Sequence, residues 1–155
     1  MGEDIFIRPT KLWHFRHRDA TAVVRKPELV VAIADINERV RLGQHFNDAG
    51  FNVREVASGA EVVAAWSGPI RTPDVLLADA DLIDLPAPAL LDRLEGLIEP
   101  LSCCFLADSL DNPHAHLARL TGAEIIARQA SLLMIEGALW EAVGYGVLSR
   151  LSKDD

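Results

Sequence analysis

A chain of 155 residues, half of them hydrophobic, holds enough apolar material for one core and is too short for two comfortable domains. No run approaches the roughly 20 apolar residues that span a bilayer. The start MGEDIFIRPTK lacks a basic segment leading into an apolar stretch and a cleavage site, so a soluble, cytoplasmic protein without a membrane anchor is expected.

In chain order, the first feature is a basic arm. Residues 1 to 26 carry Arg8, Lys11, Arg16, Arg18, Arg25 and Lys26 against Glu3, Asp4 and Asp19, although the whole chain has a net charge of −8. The body behind the arm is therefore strongly acidic. An arm with Trp13, His14, Phe15 and His17 either packs as a solvated tail on its own domain or touches the acidic surface of a partner. Duplex DNA needs a larger basic footprint, and the acidic body repels a polyanion, so no nucleic acid partner is expected for this chain alone. The expected organisation is an arm over 1–27, one domain over 28–151 and a short tail over 152–155.

From residue 28 short apolar runs alternate with helical patterns. LVVAIA (29–34), NVREV (52–56), DVLLA (74–78), CCFLA (103–107) and EIIA (124–127) read as strands. INERVRLGQHFNDAG reads as a helix with Ile36, Val40, Gly43 and Phe46 on one face and Gly50 as its C-cap. GAEVVAAWSG is a short helix. APALLDRLEGLIEP places Leu90, Leu94, Leu97 and Ile98 at helical spacing up to Pro100, and NPHAHLARLTG starts on Asn112 and Pro113 and stops at Gly122. A final helix over about 131–151 carries Leu132, Ile135, Leu139, Val143 and Val147 on its core face. Strands that are apolar throughout, each followed by a helix, predict an α/β fold: a flavodoxin-like, doubly wound (βα)5 domain whose parallel five-stranded sheet has the order 2-1-3-4-5.

In such a sheet the chemistry sits beyond the C-terminal strand ends. Asp79 follows the third strand within PDVLLADADLIDLP, and Asp35 follows the first. If strands one and three are neighbours the two carboxylates meet. They then repel unless a cation lies between them, for which a hard divalent ion such as Mg²⁺ is suited. A carboxylate beside such an ion can attack a phosphoryl group. The plainer readings are a turn-capping carboxylate for Asp79, an N-cap for Asp35 and loop solvation for Asp81 and Asp84. The adjacent Cys103 and Cys104 read as buried small hydrophobes. The pairs His14 with His17 and His114 with His116 lack the further ligands of a metal site, and no glycine-rich phosphate loop follows any strand.

At these residues the chain resembles the receiver domain of two-component response regulators. LVVAIADINERVRLGQHFNDAGFNVREVASGAEVVAAW is similar to that family's first strand, first helix and second strand; PDVLLAD is similar to its third strand, and GAEIIA to its fifth. The resemblance covers about residues 28–150. It implies a non-enzymatic signalling domain with Asp79 at the phosphoacceptor position, Asp35 as a direct metal ligand and the backbone carbonyl of Asp81 completing the metal site. It also implies a histidine kinase or another signalling protein as partner. The switch site is incomplete. Ala34 stands where the family has a second acidic residue, which implies weak Mg²⁺ binding. Ala107 stands at the Thr or Ser position, Ile126 at the aromatic position, and Gln129 with Ala130 at the Lys-Pro pair. Arg128 lies one position early, and strand alternation aims it away from the site unless the backbone bulges. Two functions follow: a phosphorelay receiver, or a phosphorylation-independent pseudo-receiver that acts as an interaction or dimerisation module. The last helix, with Leu133, Ala142, Tyr145, Leu148 and Leu151 beside its core positions, is broader in its apolar surface than one face needs and predicts a homodimer.

Overall fold

The computed structural model describes residues 25–69 and 71–153, with side chains up to residue 144. Most of the basic arm, including Trp13 to His17, lies outside the described residues, as do the end of the tail and the side chains of Tyr145, Val147, Leu148 and Leu151. Five parallel strands, β1 (Glu28–Ala32), β2 (Asn52–Val56), β3 (Val75–Asp79), β4 (Cys103–Ala107) and β5 (Glu124–Ala127), form one sheet in the order β2-β1-β3-β4-β5. The helices are α1 (Ile36–Asp48), α2 (Gly59–Ser67), α3 (Ala87–Arg93), α4 (Pro113–Leu120) and α5 (Leu132–Lys153). This is the expected flavodoxin-like fold and strand order. No helix among the described residues is long and apolar enough to cross a membrane.

Alternation along each inner strand divides the core in two, because successive side chains leave a strand on opposite faces. Val30, Ala32, Leu76, Ala78, Cys103 and Phe105 point toward α2, α3 and α4, where they pack with Val62, Trp66, Leu90 and Ala118. Leu29, Val31, Val75, Leu77, Cys104 and Leu106 point the other way and pack with Phe46 of α1 and Ile135, Leu139 and Val143 of α5. Both faces of β3 and β4 are covered, so every residue of these strands is buried. The two cysteines stand on opposite faces as free thiols, and burial pushes the Cys103 thiol up to about 12 and raises that of Cys104 further.

Two helical patterns differ from expectation. In α1 the buried positions are Leu42, Gly43 and Phe46, whereas Ile36 and Val40 are 61% and 45% exposed. The helix begins beyond the end of the sheet, so its first turn has nothing apolar beneath it. There Arg39 folds back instead, its Nη1 donating to the Ile33 carbonyl at 2.8 Å. The helix after Pro86 is shorter than the leucine spacing suggests. It ends at Arg93, Gly96 turns the chain with a φ of 83°, and Leu97 is left exposed. Pro100 opens a short 3₁₀ turn, Pro100–Ser102, that leads into β4. The expected glycine after α1 is present: Gly50 adopts a φ of 109° and brings Phe51 against Trp140 at a ring distance of 4.5 Å.

Candidate functional site

The C-terminal ends of β1, β3, β4 and β5 converge on a cluster of acids around one cation. Asp79 is the last residue of β3 and is only 8% exposed. Its Oδ2 accepts the Ala34 N–H at 3.0 Å, and its Oδ1 accepts from Arg128 Nη2 at 2.6 Å. Arg128 makes two further charge-assisted bonds with its other nitrogens, Nη1 to Glu38 Oε1 and Nε to Asp108 Oδ1, each at 2.6 Å. One guanidinium therefore faces three carboxylates from α1, β3 and the segment after β4. Burial works against its charge. Hydrogen bonds to Asp79 and Asp108, with the charges of Asp79 and Glu38, outweigh that cost and hold Arg128 above its ordinary pKa.

The sequence alternation that aims Arg128 away from Asp79 does not govern this position. The strand ends at Ala127, and the chain turns at once, with the Ala130 N–H bonded to the Ala127 carbonyl at 2.9 Å. Arg128 still donates its own N–H to the Ala107 carbonyl at 2.9 Å, which anchors its backbone on β4. Its long side chain then reaches along the sheet edge to Asp79. Glu38 and Asp108 join the cluster without any motif that singles them out. The available signal was compositional: one Arg directly past the fifth strand, opposite strand ends rich in acid.

Asp35 and Asp79 lie on neighbouring strands' extensions, since β1 pairs with β3. Their carboxylates do different work. Asp35 is exposed and its Oδ1 accepts the Glu38 N–H at 3.0 Å, the N-cap of α1. Asp81 turns to α4, where its oxygens meet His114 Nδ1 and Asn112 Nδ2, both at 2.6 Å, while Asn112 Oδ1 caps the helix by accepting from His114 N at 2.7 Å. Asp84 is more than a solvated loop residue. It accepts the N–H groups of Gly59 and Ala60 at 2.9 Å each, at the start of α2. The bond from Gly59 is the main cause that holds its carboxyl below the usual range. Gly59 is required there by space as well, because a Cβ at that position stands 2.6 Å from Leu85 Cβ. Ser58 and Glu61 close the same helix start, with the N-cap Ser58 Oγ accepting from Glu61 N and Glu61 Oε1 accepting from the N–H of Ala57, one residue before the cap.

The donor set does not fit a resident Mg²⁺. Such an ion asks for oxygen ligands in near-octahedral order. Here both oxygens of Asp79 already accept N–H groups, Ala34 offers a donor where an oxygen is needed, and Asp35 is engaged by α1. Among the described residues no group of three His, Cys, Asp or Glu side chains is placed to hold a metal.

No family model matches the chain, and no curated protein matches it either. Solved structures do. The signal receiver domain of an HD domain-containing protein from Pseudomonas fluorescens Pf-5 superposes with a TM-score of 0.73 at 18% identity, covering 85% of this chain and 97% of that one. The receiver domain of Francisella response regulator 1452 gives 0.65 at 16% identity, covering 77% and 98%. The receiver domain of a sensor histidine kinase from Pseudomonas aeruginosa PAO1 gives 0.65 at 15% identity over 77% and 98%, and in that protein a magnesium ion is coordinated in the active site cleft. The chain has the fold of a response-regulator receiver domain.

Proposed function

We propose that the chain is a receiver-like domain of two-component signalling that acts through protein contacts, with its acceptor-position residue Asp79 kept out of phosphoryl transfer. The observation that carries this reading is the bond from Arg128 Nη2 to Asp79 Oδ1 at 2.6 Å, with Ala34 N–H on the other oxygen. A carboxylate whose two oxygens both accept hydrogen bonds, one of them from a guanidinium, is a weakened nucleophile, because those bonds draw on the charge that would attack. Three carboxylates against one guanidinium also leave a net negative edge, which opposes an incoming phosphoryl group. Ala107 offers no hydroxyl to receive that group, and Gln129 is exposed and uncharged. On this reading the domain is a cytoplasmic, non-enzymatic module. Its partner is a histidine kinase or another signalling protein, and the acidic end of the sheet holds no resident Mg²⁺, because Ala34 and Arg128 stand where acid and metal would.

The phosphorelay reading keeps one observation in its favour, the location of Asp79 at the C-terminal end of β3. One experiment separates the two. The protein and its Asp79→Ala variant are incubated with Mg²⁺ and a small phosphodonor, and the intact mass is measured. No adduct is expected on either; a phosphoryl adduct on the parent that is missing from the variant establishes Asp79 as an acceptor and sinks the proposal.

The contact surface is assigned to α5. Leu133 and Met134 on its first turn are 74% and 66% exposed, although the same helix buries Ile135, Leu139 and Val143. A second copy meeting this face in two-fold fashion covers that apolar surface. Sedimentation equilibrium is expected to show a dimer mass at micromolar concentration, and a monomer mass across the accessible range removes the assignment.

A further inference from the structure

We infer that Arg128 is an internal replacement for a divalent cation, holding the acidic end of the sheet in one arrangement with no metal bound. The inference deepens the functional reading above, with which it shares Asp79. Three carboxylates from separate segments, Glu38 of α1, Asp79 of β3 and Asp108 after β4, each bond a different nitrogen of one guanidinium at 2.6 Å. A bridging dication does the same two things for such oxygens: it offsets their charge and sets their separation. A planar guanidinium does both with a rigid fork of N–H donors. Unlike a bound metal, it cannot be removed by a chelator, and it stays protonated over the whole physiological range.

The surrounding geometry fits this role. The Arg128 backbone is fixed by the bond from its N–H to the Ala107 carbonyl, so the cation enters from a set position. Its side chain is 27% exposed and that of Asp79 is 11% exposed, which leaves the pair partly shielded from water and salt. On the opposite side, Ala34 N–H supplies the second donor to Asp79. The carbonyls of Ile33 and Ala34, oxygens a metal could use, instead accept from Arg39 Nη1 at 2.8 and 3.4 Å. An entering dication therefore has to displace one guanidinium from three bonds and compete with a second for the neighbouring oxygens.

The test uses thermal unfolding of the parent and of Arg128→Gln, each in EDTA and in millimolar Mg²⁺. The parent midpoint is expected to be the same in both solutions. In EDTA the Gln variant is expected to melt lower by roughly 5 °C or more, since three carboxylates lose their counter-charge. Mg²⁺ is expected to restore part of that loss. A rise of the parent midpoint with Mg²⁺, a Gln variant as stable as the parent, or a loss that Mg²⁺ leaves untouched each overturns the inference. If Arg128→Gln does not fold, Mn²⁺ added to the isotopically labelled parent decides. Amide signals of Ala34, Asp79 and Ala80 that stay sharp support the inference, and paramagnetic broadening of those signals overturns it. No phosphodonor is present in these samples, so failure here is distinguishable from the appearance of a phosphoryl adduct on Asp79.

Discussion

Asp79→Ala is expected to destabilise the domain by about 2–4 kcal/mol, because the substitution strips acceptors from a charged donor and a backbone donor in a nearly buried position. Arg128 Nη2 and the Ala34 N–H both lose their partner. The direction of the change carries the meaning. In a pocket of uncompensated acids, removing one carboxylate relieves repulsion and raises stability. With Arg128 seated among Glu38, Asp79 and Asp108, removing Asp79 takes away the most buried of its three carboxylate partners, leaves two donors unsatisfied and lowers stability. Asp79→Asn keeps one carbonyl oxygen as an acceptor and is expected to lose less. Urea unfolding of the three proteins in EDTA is the measurement, and an alanine variant more stable than the parent shows that the guanidinium does not compensate the site.

Phe105→Ala is expected to cost about 3–5 kcal/mol, the range for truncating a fully buried aromatic side chain. Phe105 is 0% exposed at the centre of β4, in the core layer beneath α2, α3 and α4. The strand is covered on both faces, so the surrounding side chains have little freedom to collapse into the space. Because stabilities of 5–15 kcal/mol are usual for a domain, this single change removes a large share of the total. The variant should unfold at a much lower urea concentration with an unchanged slope. A midpoint within a few tenths of a molar unit of the parent's refutes this account of the core.

The fold and the site differ in how far they can be read from the chain. Leu76, Leu77, Cys104 and Leu106 are buried whichever face they take, so an apolar run between turn residues is enough to place a strand in the middle of a parallel sheet. Asp79 is legible for a related reason, since a charged residue ending such a run can only lie at the sheet's edge. Ile36 and Val40 fail because helical spacing identifies a face without showing how far the sheet extends beneath it. The α3 helix fails at Gly96, whose positive φ ends what the leucine spacing continues. Arg128, Glu38 and Asp108 were beyond reach for a further reason. Their meeting depends on how α1 and the segments after β4 and β5 sit beyond the strand ends, and alternation holds only while a strand lasts. Asp81 and Asp84 find partners on α4 and α2 that no local pattern announces.

The bonds of Arg128 span the chain as well as the site. Glu38 lies 90 residues before it in sequence and Asp79 lies 49 before it. A chain made from its N-terminus thus presents all three acids before their counter-charge exists. The counter-charge arrives with β5, a four-residue edge strand, the shortest of the sheet and bonded to β4 on one side only. Edge elements with few backbone bonds are the first to open in a folded domain. Any opening that takes β5 and the residue after it off β4 therefore also releases the Asp79 carboxylate.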